Sequence, residues 1–399
     1  MSLRSPRIRR SPEQERSCRS IRPACPGRWL AIPLLAIALV LSSVSARAGT
    51  RKVILDDDGF ALAQWMVIKA PDVQVLGVTT VTGDLWQKEA TANALRGVEI
   101  AGRPDLPVYG GATYPLVNTE AQTERWEALY GKLVWKGVWM KHWVEPTRQA
   151  LPPYHGPDVV PDLPQGNPTL EARPGRAADF LIEMVHSYPH QVSIIATGPL
   201  TNLALAQRLD PEFAGLAKEL VYMGGSLNPR QTRPDEVAHQ FAREFLNAPR
   251  REFNIRFDPE AASIVLRAPW ARITMIPVDP STDTELTPAL LKRLSASATP
   301  VARALRTRPT GFPLWDEIAA GVWLDPGIVT RKTDLFIDVN TQFSGSYGDI
   351  LSWTPGYEPG LGERRNIVVQ KIDVKRLEDL MTQRVAAPQK PVSGRPLPG

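Results

Sequence analysis

The chain has 399 residues, 43% hydrophobic and 22% charged, with 38 Pro and 28 Gly; these values suit a folded globular protein and exclude a wholly disordered, collagen-like or coiled-coil chain. Its formal charge of +5 does not argue for nucleic acid, because residues 1–48 hold nine Arg, no Lys and two Glu, which leaves 38 basic against 40 acidic groups in the rest. Without a basic surplus beyond Ala48, the phosphate-neutralising surface that DNA or RNA binding requires is not expected.

The first 48 residues read as an export signal. An Arg-rich stretch ends at Arg28, Trp29 to Val44 is nearly all apolar, and Ala46-Arg47-Ala48 supplies a small-x-small cleavage pattern before Gly49. The apolar run falls short of the roughly 20 residues that cross a bilayer, so no stable membrane anchor is expected after cleavage. The expected location is periplasmic or secreted. Cys18 and Cys25 both precede the apolar run, so the mature chain would carry no disulfide, no Cys-ligated metal and no thiol nucleophile.

From Lys52 the chain alternates strand and helix. Lys52-Val53-Ile54-Leu55 is an apolar strand closing in Asp56-Asp57-Asp58-Gly59, and a helical stretch follows to Ala70. Val73 to Thr80 is a second, β-branched strand. Gln87 to Gly102 is a helix, and Leu106 to Tyr109 a third strand. The rhythm resumes with a helix over 175–187, a buried strand over 191–196, a helix over 202–208 and a strand over 220–223 that ends in Gly224-Gly225. A helix over 259–267 and a strand over 272–278 complete the series. This is the βαβ pattern of a parallel sheet. It predicts one large α/β domain over 49–385, with a mostly parallel, Rossmann-like open sheet flanked by helices.

Two insertions break the pattern, near 118–172 and near 227–246. In the first, Trp135, Trp139 and Trp143 fall at i, i+4 and i+8, a spacing that puts them on one face of a helix. That face is either docked into the core or part of an aromatic lid over a ligand pocket. The Pro-rich, polar stretch over 386–399 reads as a disordered tail.

Open parallel sheets bind ligands at the carboxyl ends of their strands. Asp56, Asp57 and Asp58 follow the first strand, Thr82-Gly83-Asp84 the second, and Thr197-Gly198-Pro199-Leu200-Thr201-Asn202 the 191–196 strand. Asn247, Glu252-Phe253-Asn254 and Trp315-Asp316 lie further on. Carboxylates, amides and Thr hydroxyls suit hard cations such as Ca²⁺, or polyols that need several donors and acceptors. Phosphate-binding loops and a Ser or Cys nucleophile beside a His are missing from the sequence. A single strand-end Asp commonly serves as a helix cap, but clustered carboxylates repel unless a cation or proton intervenes.

The segments KVILDDDG, VLGVTTVTGD, ATGPLTNLALA, VYMGGS, EFNIRFDPEAA and LWDEIAAGVWLDP together resemble the inosine–uridine-preferring nucleoside hydrolase family, in the family's order from about Lys52 to Asp379. The resemblance implies the nucleoside hydrolase fold, Ca²⁺-dependent hydrolysis of the N-glycosidic bond of ribonucleosides, and a small-molecule substrate. Dimers and tetramers are common in that family, so a homo-oligomer is an open expectation. By the resemblance, Asp58 binds the cation and takes a proton from the attacking water; Asp56, the Thr197 carbonyl and Asp316 are further metal ligands. Asn247, Glu252 and Asn254 match groups on the ribose hydroxyls, and Phe253 an aromatic ring near the sugar. Cleaving such a bond passes through an oxocarbenium-like sugar, whose positive charge nearby carboxylates stabilise.

Two departures stand out. The family's D-x-D-x-G-x-D-D loses its acidic pair here, where Gly59-Phe60-Ala61-Leu62-Ala63 follows Asp58, and Asp84 replaces an Asn. Asp84 or Asp57 is expected to restore the lost charge. Trp315 stands where the family often has a His suited to protonating the base; indole cannot do so, which points to stacking on the base, as purine-preferring members do. His155, in Tyr154-His155-Gly156, resembles a family His-Gly segment near the substrate. The alternatives to nucleoside hydrolysis are a non-catalytic sugar- or nucleoside-binding protein on the same fold, and a hydrolase of another N-ribosyl compound.

Overall fold

The computed structural model describes residues 50–147, 149–231 and 236–388, which lie within one compact unit. The leader over 1–48 lies outside these residues. The expected tail also falls largely outside them, although its first residue, Ala386, ends the last helix.

Nine strands form a single sheet: β1 (Arg51–Asp57), β2 (Val73–Thr80), β3 (Val108–Gly110), β4 (Val192–Ala196), β5 (Glu219–Met223), β6 (Ile273–Ile276), β7 (Val329–Val339), β8 (Ile350–Trp353) and β9 (Arg364–Ile372). Their order is β3-β2-β1-β4-β5-β6-β9-β7-β8. Pairing is parallel from β3 through β6 to β9, and antiparallel where β7 meets β9 and β8. The parallel strands read as short apolar runs because helices cover both faces. Along β1, Val53 and Leu55 enter one core while Ile54 enters the other, as the two-residue period demands.

One face is covered by α1 (Leu62–Ile68) and α2 (Gln87–Ile100). Beyond the first insertion, which opens with α3 (Glu120–Tyr130), α4 (Ala177–Ser187) and α5 (Thr201–Leu209) cover the opposite face, followed by the short α6 (Phe213–Leu216). Next come α7 (Glu236–Asn247), α8 (Phe253–Phe257) and α9 (Pro259–Arg267). The short helices α10 (Val278–Ser281), α11 (Pro288–Leu294) and α12 (Pro300–Leu305) precede α13 (Asp316–Leu324) and the final α14 (Val374–Ala386). The first face is completed by α13, which packs on α1, and by α14. Among the described residues no helix is long and apolar enough to cross a membrane.

The tryptophan spacing misled. Trp135, Trp139 and Trp143 do not share a helix: α3 ends at Tyr130, Gly131 takes φ 112°, and only Gly137–Trp139 form a single 3-10 turn. The three rings therefore part company. Trp139, 4% exposed, stacks on Phe257 at 4.4 Å in a small core with Trp86. Trp135 and Trp143 stack on each other at 5.3 Å. The expected single aromatic face does not form: Trp139 is buried in a core, while Trp135 and Trp143 line a cavity.

Candidate active site

The chain runs from β1 to β2 and β3 on one side of the sheet, then crosses to β4 and β5 on the other. The crevice at the carboxyl ends of β1 and β4 is thus a topological switch point, where open α/β sheets take their ligands. A cavity of about 320 Å³ opens there, bounded by Asp58, Asp84, Thr197, Glu252, Asn254 and Asp316 among others.

The three consecutive aspartates have different tasks. Asp56 is turned into the protein, where its Oδ1 accepts from Thr79 Oγ1 at 2.5 Å and Asn202 Nδ2 at 2.7 Å, tying β1 to β2 and α5. Its Oδ2 is buried with no hydrogen-bond partner among the described residues, and burial lifts its pKa to about 7. Asp57 accepts from Gln64 Nε2 and Thr197 Oγ1, and burial raises it to about 6. Asp58 faces the cavity and accepts the Asp84 backbone N–H at 2.8 Å. Burial, then the charges of Asp84, Asp57 and Asp316, push its pKa well above the ordinary carboxylate value. Gly83 is required beside it, because a Cβ there would sit 2.0 Å from Asp58 Oδ2.

The other walls come from separate elements. Asp84 accepts the Trp135 indole N–H at 2.6 Å. Although part of Asp84 reaches solvent, protein atoms crowd its carboxyl in the crevice and hold it above its usual value. Glu252 caps α8, accepting from the N–H groups of Asn254, Ile255 and Gly225; burial raises it to about 7 against those three bonds. Asn254 donates its amide to the carbonyls of Met223 and Thr197, at 3.2 and 3.4 Å. Asp316 opens α13 and is raised well above its usual value by burial first, then by Asp57, Glu317, Asp84 and Glu252. Trp315 meets Phe241 edge-on at 5.3 Å, and Phe253 meets Trp135 edge-on at 6.4 Å. With Phe245, Phe312 and Trp143 these rings make the cavity strongly aromatic beside the carboxylates.

Three of the sequence-expected residues stand apart from this cavity. Asp56 is walled off behind Thr79 and Asn202. Asn247 ends α7 exposed to solvent, while Phe241, Glu244 and Phe245 of that helix line the cavity instead. His155 borders an adjoining pocket of about 30 Å³, its Nε2 3.3 Å from Glu89. Conversely, Arg251 and Arg256 line the main cavity although sequence reasoning passed over them. Their one signal was position, since they flank Glu252 and Asn254 within RREFNIRF.

Carboxylates and aromatic rings lining one crevice at the switch point of a parallel sheet define an open α/β protein with its candidate site at the carboxyl ends of the strands. The chain belongs to the family described as inosine-uridine preferring nucleoside hydrolase, whose profile matches residues 53–379. It is 30% identical over 268 residues to the Leishmania major protein named inosine-uridine preferring nucleoside hydrolase, covering 66% of this chain and 69% of that one. An uncharacterised Schizosaccharomyces pombe protein is 28% identical over 338 residues, covering 80% of this chain and 81% of its own. The solved structure of a purine-preferring ribonucleoside hydrolase from Gardnerella vaginalis superposes with a TM-score of 0.61 at 22% identity, over 84% of this chain and 98% of that one. Family and fold together support ribonucleoside hydrolysis in general.

The residues present suit a hard cation in donor chemistry. Asp58, Asp84 and Asp316 are oxygen donors of the type Ca²⁺ prefers; Asp84 and Asp316 raise Asp58, and Asp84 also raises Asp316, by repulsion that a cation would relieve. Among the described residues, however, no group of three His, Cys, Asp or Glu side chains is arranged to hold a metal ion. Leu62 and Ala63 occupy the acidic-pair positions counted from Asp56, and both are buried in α1. Gln64 fills the space beside them and donates its amide to Asp57 and Thr197 Oγ1.

Proposed function

We propose that the protein hydrolyses the N-glycosidic bond of ribonucleosides, with Asp58 as the general base and a divalent cation held by Asp58, Asp316 and the Thr197 carbonyl. The observation that carries the reading is Asp58 itself. It is a cavity-facing carboxylate gathered with Asp84 and Asp316 and held in place by the Asp84 N–H, so it is positioned to take a proton from water in the cavity. Water adds to C1′ as the C1′–N bond breaks; the electron pair leaves with the base, and the water proton passes to Asp58. Glu252 and Asn254 hold the ribose hydroxyls, and the surrounding carboxylates stabilise the positive charge that develops on the sugar. Trp315 and its neighbouring rings stack on the base, which takes its proton from solvent. A divalent cation, when bound, supplies a lowered pKa for water.

The test is release of reducing sugar from a panel of purine and pyrimidine ribonucleosides, with Ca²⁺ and with a chelator. Release abolished by the chelator supports the full reading, and release indifferent to it removes the cation. A second reading is a binding protein on the same fold, favoured by buried Leu62 and Ala63 in place of the acidic pair. Binding of nucleosides with no turnover on the panel would establish that alternative.

A further inference from the structure

The proposed chemistry uses the acidic and aromatic walls of the cavity and leaves one group idle. Arg256, on α8 between the ribose-side residues and Phe257, is 3% exposed and lines the cavity. Its Nη2 is buried with no hydrogen-bond partner among the described residues. Burial draws its pKa down to about 10, which leaves it charged at neutral pH.

The neighbouring anions are engaged elsewhere. Glu127 is bound by Lys136 at 2.9 Å, and its other oxygen accepts the Leu133 N–H. Glu244 accepts the Val134 N–H at 2.9 Å and lies 3.6 Å from Arg251. Glu260 accepts the Tyr347 hydroxyl. Arg251, also lining the cavity, stands 3.4 Å from Asp349, but without hydrogen-bond geometry, so Arg251 Nε and Asp349 Oδ1 both stay unsatisfied. Its Nη2 donates to the Gly345 carbonyl, and its guanidinium lies 4.4 Å over the Trp126 ring. Glu244 and Glu127 act on Arg256 through space, but among the described residues none of these groups accepts a hydrogen bond from its Nη2.

A buried guanidinium costs stability unless an acceptor meets it, and its planar fork suits a phosphate or carboxylate. We infer that the substrate carries a compact anionic group on its sugar side, phosphate or carboxylate, which seats against Arg256 with Arg251 behind it. This inference rests on the N-riboside reading above and narrows it: the ligand is an acidic N-riboside, gripped at its hydroxyls by carboxylates and at its anionic end by arginine.

The test measures binding, by calorimetry on the Asp58→Asn protein, of inosine and uridine, their 5′-monophosphates and their 5′-carboxylates. The expected result is that one anionic series binds at least tenfold tighter than its parent nucleosides. A phosphate or a carboxylate preference then settles which anion is read. Arg256→Met should bring the preference to within threefold of parity, and Arg256→Lys should retain part of it. The comparison within the Asp58→Asn protein stands even if Arg256→Met fails to fold. Parent nucleosides binding as tightly as the anionic forms would overturn the inference, and so would a preference unchanged in folded Arg256→Met. Should no riboside bind, inorganic phosphate is titrated. Arg256-dependent phosphate binding would then keep the anion site and discard the N-riboside reading, whereas absence of phosphate binding would discard both.

Discussion

Asp56 offers a quantitative test of how burial sets the electrostatics beneath the site. It is 0% exposed, and among the described residues both hydrogen-bond donors to its carboxyl meet Oδ1 and none meets Oδ2. Its pKa rises from 3.8 to about 7. Below the unfolded value both states hold the proton and burial costs nothing through ionisation. Between the two values the folded state keeps a proton that the unfolded state has lost, so stability falls as pH rises, and above about 7 the full cost is present. A shift from 3.8 to about 7 corresponds to roughly 4 kcal/mol at full ionisation, of which about 2–3 kcal/mol is incurred between pH 5 and pH 8. Asp56→Asn keeps the acceptor at Oδ1 and removes the charge. Its stability relative to wild type should therefore improve by about 2–3 kcal/mol from pH 5 to pH 8. Urea unfolding followed by circular dichroism at both pH values, with a chelator present, measures this. Wild-type and variant stabilities that run parallel across the interval would refute the reasoning.

Further outcomes follow from the same structure. Gly83→Ala places a methyl group 2.0 Å from Asp58 Oδ2; it should cost about 1–3 kcal/mol in urea unfolding and lower kcat by roughly 10²-fold in the sugar-release assay by displacing Asp58. Trp139→Ala should lower stability by about 3–5 kcal/mol because the ring is buried against Phe257. Trp143→Ala should cost under about 1 kcal/mol and raise KM, a contrast that paired melts and kinetics would show. Trp135→Phe removes the indole N–H that stabilises the ionised form of Asp84. The Asp84 pKa should rise, which a titration of the Asp84 carboxyl followed by NMR in wild type and variant would show.

The parallel sheet was legible because its strands are short β-branched runs closed by Asp, Thr-Gly or Gly-Gly, and their boundaries fell within a few residues of β1, β2, β4, β5 and β6. The strand-end acids were legible for the same reason: topology alone sends Asp58, Asp84 and Thr197 to one crevice. Side-chain direction was not. Strand alternation would put Asp56 and Asp58, two residues apart, on one face, but β1 ends at Asp57, and only the partners Thr79 and Asn202 show that Asp56 turns away from Asp58. The insertions were the least legible part. Three tryptophans at helical spacing form no helix after Gly131, because long-range stacking on Phe257 and the bond to Asp84 decide where they go. Arg251 and Arg256 escaped notice because a charged residue beside a motif reads as surface until burial is known.

The central claim is that Asp58 moves the proton. Steady-state kinetics of Asp58→Asn on the best nucleoside of the panel, with a binding titration of that nucleoside, tests it most directly. The account predicts kcat lower by about 10²- to 10⁴-fold in a protein that still folds and binds the nucleoside. A variant whose kcat stays within about threefold of wild type, where loss of a general base would cost at least about 10²-fold, would contradict it.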